Sequence, residues 1–387
     1  MKKYNLIVPL AGKGQRMIDG GLSLPKPMLV CGNKSILDWS MSSIDYSECN
    51  LIFVVRTNHN IYGITDWLRS KYPDCNIFHI SGTSGACETV GLATSFIDES
   101  DRNLPLIVYC PDTTFEPIYK PCEEDFRDGM ILTFKANSPN YSYVKSDADN
   151  TIYEVAEKNV ISQDASVGIY CFKTTEYFKE KYSEYVDSCK SNNTEAHICP
   201  IYNKMITEDG LFIKQKKVEK IHIMGTPDEF RFFENVSFRF MDVRKFVLCS
   251  DHSGLEIKRF IAKQLKELNF KFIDVGCYST QDCDYYEYVK EACRLINNHK
   301  YFGIGVCQSG QGINICANKI SGIRAGLIQD HYHAIYAIRH NACNFFSISA
   351  KDFQSNESYL FDIIKILTTE TFDGGRHQNR IIKNGDF

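Results

Sequence analysis

A repeated spacing constrains this chain more than any other feature. Short apolar runs of strand length recur, and segments long enough for a helix separate them. In the first half the runs are Tyr4–Leu10, Leu51–Val55, Asn76–Ile80, Leu106–Cys110, Met130–Phe134 and Val167–Phe172. In the second they are Lys245–Ser250, Phe270–Val275, Phe302–Cys307, Ala325–Ile328 and Phe345–Ser349. Strands that alternate with helices build parallel sheets with helices on their faces. The expected fold class is α/β, as two Rossmann-like three-layer domains with mostly parallel sheets.

A length of 387 residues suits two such domains. The break is expected at Met241, giving domains 1–241 and 242–387. Pro227–Phe240 reads as a last helix and a short connection, after which Lys245–Ser250 opens a fresh strand. Ile257–Leu268 is apolar at 257, 260, 261, 265 and 268, a helical spacing. The polar stretch Ser188–Asn193 reads as a loop.

Composition removes several function classes. With 44 basic and 48 acidic residues the formal charge is −4, so no basic excess grips a nucleic acid backbone. No apolar run approaches 18 residues, which argues against a membrane span. Lys2 and Lys3 precede an apolar stretch, Leu6 to Ala11, but it is too short for a secretion signal and holds Pro9. None of the 16 cysteines forms a Cys-x-x-Cys pair, which argues against a zinc ribbon or a thioredoxin-type motif. The expectation is a reduced, cytoplasmic enzyme.

The first strand empties into Leu10-Ala11-Gly12-Lys13-Gly14-Gln15-Arg16-Met17. Glycines there let backbone N–H groups approach phosphates, and Arg16 adds a charge-assisted contact. Glycine turns after strands are common, so this alone decides little. Leu24-Pro25-Lys26-Pro27-Met28-Leu29 adds a lysine between two prolines, whose fixed backbone would hold Lys26 as a preorganised phosphate clamp.

Together these segments resemble the sugar-phosphate nucleotidylyltransferases, over about 235 residues. Gly85-Ala86-Cys87-Glu88-Thr89-Val90, Cys110-Pro111-Asp112, Glu157-Lys158, Val167-Gly168-Ile169-Tyr170 and Gly225-Thr226-Pro227-Asp228 extend the likeness. The resemblance implies attack of a sugar phosphate on the α-phosphorus of a nucleoside triphosphate, with loss of pyrophosphate. It assigns Leu10, Ala11, Gly12, Gly14, Arg16, Lys26 and Glu88 to the nucleotide, Glu157 and Lys158 to the sugar side, and Asp112 to Mg²⁺. Two departures stand out. Pro111 falls where the family aspartate is expected unless the loop shifts by one residue. Ile223 occupies the position of the second metal aspartate.

In the second half, Ser250-Asp251-His252-Ser253-Gly254 follows one strand and Cys307-Gln308-Ser309-Gly310-Gln311-Gly312 another. A cysteine beside a helix N-terminus favours its thiolate, and the following N–H groups form a nest for an oxyanion or a phosphate. His340 transfers protons near neutral pH, and Arg376 and Arg380, four apart, share a helical face suited to phosphate. Taken singly, Cys307 is a core cysteine, His340 a helix cap and the arginines a solvated face. Their conjunction is what a sugar-phosphate isomerase needs.

From about Arg244 to Arg380 the chain resembles the type B ribose-5-phosphate isomerases, a family that includes the galactose-6-phosphate isomerase subunits. That likeness implies a metal-free enediolate mechanism with no cofactor. Cys307 would carry the C1–C2 proton, and the Gly310–Gly312 backbone would hold the enediolate oxygen. His340, Asp251 and Ser309 would open the sugar ring. His252, Arg376 and Arg380 would bind phosphate, while Tyr285 and Asn341 shape the pocket. It also implies a homodimer through this half, with pockets drawing on both chains. Gln308, Tyr286 and Lys351 depart from the family pattern and bear on substrate choice. His331 and His333 are additional imidazoles near the pocket.

The combined reading is a bifunctional enzyme of nucleotide-sugar synthesis. The alternative is an isomerase whose first domain is a non-catalytic nucleotide-binding regulatory module.

Overall fold

The computed structural model describes residues 2–22, 24–32, 34–83, 85–191, 194–236 and 244–385. They divide into two compact units, Met1–Phe230 and Arg231–Phe387. The break expected at Met241 lies outside the described residues.

The first unit is built on a nine-stranded sheet: β1 (Tyr4–Leu10), β2 (Cys49–Arg56), β3 (Asn76–Ile80), β4 (Leu106–Tyr109), β5 (Met130–Lys135), β6 (Ser142–Ser146), β7 (Ile152–Glu157), β8 (Asp164–Phe172) and β9 (Lys214–Lys217). They lie in the order β7-β6-β8-β4-β1-β2-β3, with β5 joining β8 to β9. The strip β3-β2-β1-β4 is parallel, and β8 returns antiparallel to β4. β1 sends Leu6, Val8 and Leu10 into one core with Phe53 and Val55, and Ile7 into a second core with Ile52 and Val54. Alternate residues of β1 and β2 thus feed opposite faces, and both faces are buried, which is why these two strands read as mostly apolar runs. A helix, α1 (Ala86–Thr94), packs Val90 and Ala93 into the second core.

The apolar runs do not reveal β6, β7 or β9. The sequence of β9 is Lys-Gln-Lys-Lys, and its neighbour in the sheet is β5. Lysines suit such an edge because they discourage further strand pairing. Ser188–Ser191, expected as a loop, instead closes the helix Thr175–Ser191. Residues 192 and 193 lie outside the described residues.

The second unit is a five-stranded parallel sheet of β10 (Lys245–Ser250), β11 (Lys271–Asp274), β12 (Phe302–Cys307), β13 (Ala325–Ile328) and β14 (Phe345–Ser349). Its order is β11-β10-β12-β14-β13. The connecting helices are α2 (Leu255–Glu267), α3 (Tyr285–His299), α4 (Gln311–Asn318), α5 (His331–Arg339), α6 (Glu357–Thr369) and α7 (Arg376–Asn384). Phe246 and Leu248 enter one core while Val247 and Cys249 enter the other, so this sheet too is covered on both faces. The chain leaves β10 toward one edge and returns through β12 on the other side. The carboxyl ends of β10 and β12 therefore flank a topological switch point, where open α/β sheets bind ligands.

Buried Lys258 of α2 donates to Asp274 Oδ1 and to the Cys277 carbonyl, each at 2.6 Å. It ties the end of β11 to the loop that leads into α3. Among the described residues, no helix is long and apolar enough to cross a membrane.

Candidate functional site

In the first unit, the loop after β1 turns at Gly14, whose φ is +66°. A Cβ there would meet nothing within 4 Å, so the left-handed backbone rather than space calls for glycine. A cavity of about 490 Å³ opens at this loop. Leu10, Gly12, Gly14, Lys26 and Asp112 all line it, as expected from the sequence. Lys26 sits in the single turn Lys26–Met28, and its Nζ donates to Asp112 Oδ2 at 3.0 Å and to the Gly225 carbonyl at 3.4 Å. The lysine and the carboxylate picked from separate motifs therefore meet across 86 residues of sequence.

Other expected residues stand elsewhere. Ala11 is buried under the loop. Arg16 is exposed on the short helix Gln15–Asp19 and does not line the cavity. Glu88 lies in the first turn of α1, but the wall is formed by its neighbours Ala86 and Thr89. Lys13, Thr83 and Thr89 line the cavity without having been singled out, and the two threonine hydroxyls share a 2.6 Å hydrogen bond. Lys13 was legible as the one cation between the loop glycines.

Glu195 lines the same cavity. Lys158 lies 3.7 Å from Glu195 and 3.4 Å from His197 Nε2. His197 in turn bridges Glu157 at 3.5 Å and Glu195 at 3.3 Å. Glu157 and Lys158 thus share a cluster with Glu195 and His197, and His197 is an addition that no motif signalled.

Ile223 is buried in the strand Lys220–Ile223, in register with Thr113. The neighbouring buried carboxyl belongs to Glu229, which accepts from the Thr226 N–H at 2.8 Å. Burial, and then the charge of Asp112, push its pKa up. Among the described residues no three His, Cys, Asp or Glu side chains gather as a metal cage. The hard oxygens of Asp112 suit Mg²⁺, a cation that completes its shell with water and substrate phosphate.

In the second unit, the expected residues fall into two sets. The first lies at the switch point. Cys307 ends β12 and is buried. Gly310 precedes α4 with φ +71°, and Ser309 Oγ accepts from the Gln311 N–H at 3.4 Å. The Tyr285 hydroxyl stands 2.5 Å from where a Cβ on Gly312 would sit, so a larger residue there would push the tyrosine off the start of α4. Burial, and then Cys307, push the Tyr285 phenol up. Asp251 Oδ1 accepts from Ser253 Oγ at 2.6 Å and from the Gly254 N–H at 2.9 Å. His252 Nδ1 accepts from the Cys283 N–H at 3.2 Å and lies 3.2 Å from Asp282.

The second set surrounds His340, at the C-terminal end of α5. Its ring stacks on His377 with centroids 3.9 Å apart, packs on Tyr336 at 4.3 Å, and faces Asp373 at 3.8 Å. Burial holds the His340 pKa below its ordinary value; Asp373 opposes this, and Arg376, Arg380 and Arg339 add to it. Burial, then His340, Arg376 and Arg380, lower His377 to about 4. Arg376 and Arg380 are exposed on α7. Asn341 donates to the Tyr336 carbonyl at 3.0 Å, and its own carbonyl accepts from Arg324. Among the described residues no hydrogen bond, ion pair or ring contact links this set to Cys307, Asp251 or Tyr285. The structure therefore leaves the expected isomerase residues as two separate sets within one chain. Of the extra imidazoles, His333 pairs with Asp330 at 2.8 Å and His331 packs at a tilt on Tyr359, centroids 4.4 Å apart.

Comparisons with known proteins match both halves. The ribose/galactose isomerase family profile matches residues 246–383, and the nucleotidyl transferase profile matches residues 7–276. A Rickettsia conorii protein provisionally named a sugar phosphate isomerase is 36% identical over 144 residues, spanning 37% of this chain and 99% of that protein. Ribose-5-phosphate isomerase B of Escherichia coli is 30% identical over 140 residues, spanning 36% and 93%. A nucleoside-diphosphate-sugar pyrophosphorylase from Vibrio cholerae superposes with a TM-score of 0.52 at 25% identity, covering 59% of this chain and 99% of its own.

Proposed function

We propose a function for a chain that belongs to two families, the nucleotidyl transferases through its first part and the ribose/galactose isomerases through its last. It is a two-domain sugar-phosphate enzyme of nucleotide-sugar synthesis. The second unit interconverts an aldose phosphate and a ketose phosphate of the ribose-5-phosphate and ribulose-5-phosphate kind. The first joins a sugar or polyol phosphate to a nucleotide.

In the isomerase step, His340 with Asp251 and Ser309 opens the sugar ring. The Cys307 thiolate removes the proton from C2, and the electron pair moves to form the C1–C2 double bond of an enediolate. N–H groups at the start of α4 receive the oxyanion charge, the role in which preorganised donors contribute most to rate. Return of the proton to C1, and transfer of the hydroxyl proton from O2 to O1, complete the ketose. Because His340, Arg376 and Arg380 stand apart from Cys307, while Asp251, Ser309 and His252 lie on its side, we assign only His340, Arg376 and Arg380 of each pocket to a second copy, making the active form a homodimer.

In the transfer step, a substrate phosphate oxygen forms a bond to the α-phosphorus while the bond to the bridging oxygen breaks and pyrophosphate leaves. Lys26 balances charge on the phosphoryl oxygens. Glu157, Lys158 and His197 orient the acceptor. Mg²⁺, held by Asp112 and substrate oxygens, would supply further charge neutralisation when bound.

One observation carries the reading: Cys307, Asp251 and the α4 nest lie together at the carboxyl ends of two neighbouring parallel strands. The test offers the full chain pentose and hexose phosphates, following ketose formation, and then the four nucleoside triphosphates with the same sugars, following pyrophosphate. Turnover in both assays is expected, and silence in the first sinks the isomerase assignment. A second reading keeps the first unit as a nucleotide-binding regulatory module, and the aliphatic Ile223 favours it. Tight nucleotide binding without pyrophosphate release would select that reading.

A further inference from the structure

Strand β2 ends at Arg56, one residue beyond Val55, which is in register with Leu10. Arg56 therefore emerges at the carboxyl edge of the sheet, beside the residue where the glycine loop begins. A second cavity, of about 290 Å³, opens here. It shares Lys13, Gly14 and Lys26 with the larger cavity and adds Arg56 and His59. Its volume lies near the lower end of the ~300–1,000 Å³ range of small-ligand pockets.

The lining has a single sign of charge. Among its described residues are the cations Lys13, Lys26 and Arg56, and no carboxylate. The Arg56 guanidinium is also incompletely satisfied: Nη1 is buried with no hydrogen-bond partner, and so is His59 Nδ1. A donor of this kind left unpaired is costly, and an entering anion would relieve that cost. Gly82 leaves room for the group, since a Cβ there would stand 3.0 Å from Arg56 Nη2. Burial, and then Arg56, hold the His59 pKa below its ordinary value, so the ring is neutral near pH 7 and able to hydrogen-bond a phosphate.

We propose that Arg56, with Lys13 and His59, forms the subsite for the β- and γ-phosphates of the bound triphosphate, the two groups that depart as pyrophosphate. This rests on the nucleotidyl-transfer reading of the first unit. Two linked phosphates fit the arrangement because the cavity continues from the phosphate loop and the planar guanidinium grips phosphate oxygens through two parallel donors. Negative charge accumulates on the leaving group as the bond from the α-phosphorus breaks, and a fixed cation there favours departure.

The test is calorimetric titration of the full chain with inorganic pyrophosphate, each nucleoside triphosphate and each nucleoside monophosphate. Arg56→Met should weaken pyrophosphate and triphosphate binding by about 10- to 100-fold, the worth of one charge-assisted contact, and leave monophosphate binding unchanged. Arg56→Lys should fall between. Lys13→Ala, on an exposed loop residue, should shift pyrophosphate in the same direction and covers the case in which Arg56→Met fails to fold. Unchanged pyrophosphate affinity in Arg56→Met and Lys13→Ala would overturn the subsite while leaving the transferase reading intact. A wild-type chain that binds no triphosphate would overturn both.

Discussion

His377 makes the stability of the second unit depend on pH in a way that can be worked through. Its ring is buried against His340, and its pKa falls from 6.5 to about 4. Arg376 Nε donates to its Nε2 at 3.4 Å, which requires that nitrogen to be unprotonated. Between pH 6.5 and 4 the unfolded chain carries a proton on this residue that the folded chain lacks. Unfolding then takes up a proton, so stability is full above pH 6.5 and falls as the pH drops toward 4. Integrating over a shift of that size, the loss between pH 7 and pH 5 is about 2 kcal/mol. Both tryptophans, Trp39 and Trp67, lie in the first unit, so fluorescence identifies its thermal transition and calorimetry assigns the other. Wild type should lose stability in the second transition on going from pH 7 to pH 5, and His377→Gln should lose roughly 2 kcal/mol less. Parallel losses in the two proteins would show that His377 is not held neutral by its surroundings, and the argument from its stack on His340 would collapse.

Three more outcomes are expected. In a dimer with shared pockets, an equal mixture of Cys307→Ala and His340→Ala chains, unfolded and refolded together, should recover about a quarter of wild-type isomerase activity: half the dimers are mixed and each has one intact site. Recovery no greater than the sum of the separate variants would mean that each site is built from one chain. Lys258→Met should destabilise the second unit by about 2–3 kcal/mol by calorimetry, below the ~3–5 kcal/mol of a fully buried pair because Asp274 keeps some access to water. Lys26→Gln should lower pyrophosphate release by about 100-fold or more and leave isomerisation unchanged, and a matching loss in both assays would contradict separate sites.

The legible part of this fold was the part whose residues face two cores. β1, β3, β10, β12, β13 and β14 were expected with the residue limits they have; burial on both faces makes β1, β10, β12 and β14 apolar runs, whereas β3 and β13 are only partly buried and were read from their β-type residues alone. β6, β7 and β9 left no such mark, since each mixes charged or hydroxyl side chains with its apolar ones. The helical end of Ser188–Ser191 was hidden in the same way, because a polar stretch gives no period to read. The sites show a similar division. Backbone geometry signalled Gly14, Lys26 and Gly310, as glycine and proline declare the conformation they require. His197, Thr83 and Arg56 reach the cavities through neighbours that only the folded chain supplies, 39 residues away in the contact between Lys158 and His197. Motif likeness put Arg16 and Glu88 in segments beside the cavity, but neither lines it. Proximity in sequence likewise said nothing about the separation of His340 from Cys307, which follows from the strand order β12-β14-β13 and the position of α7 after it.

Solvent proton exchange tests the central claim most directly. With the full chain in D₂O and a matched pair of aldose and ketose phosphates cycled through many turnovers, a thiol that exchanges its proton with solvent between removal and return places solvent deuterium on the carbon that receives the proton, visible by NMR. The account predicts deuterium at C2 of the aldose with at least one pentose or hexose phosphate, abolished in Cys307→Ala while nucleotide binding by the first unit persists. Isomerisation without any deuterium incorporation, or incorporation that survives in Cys307→Ala, would contradict it.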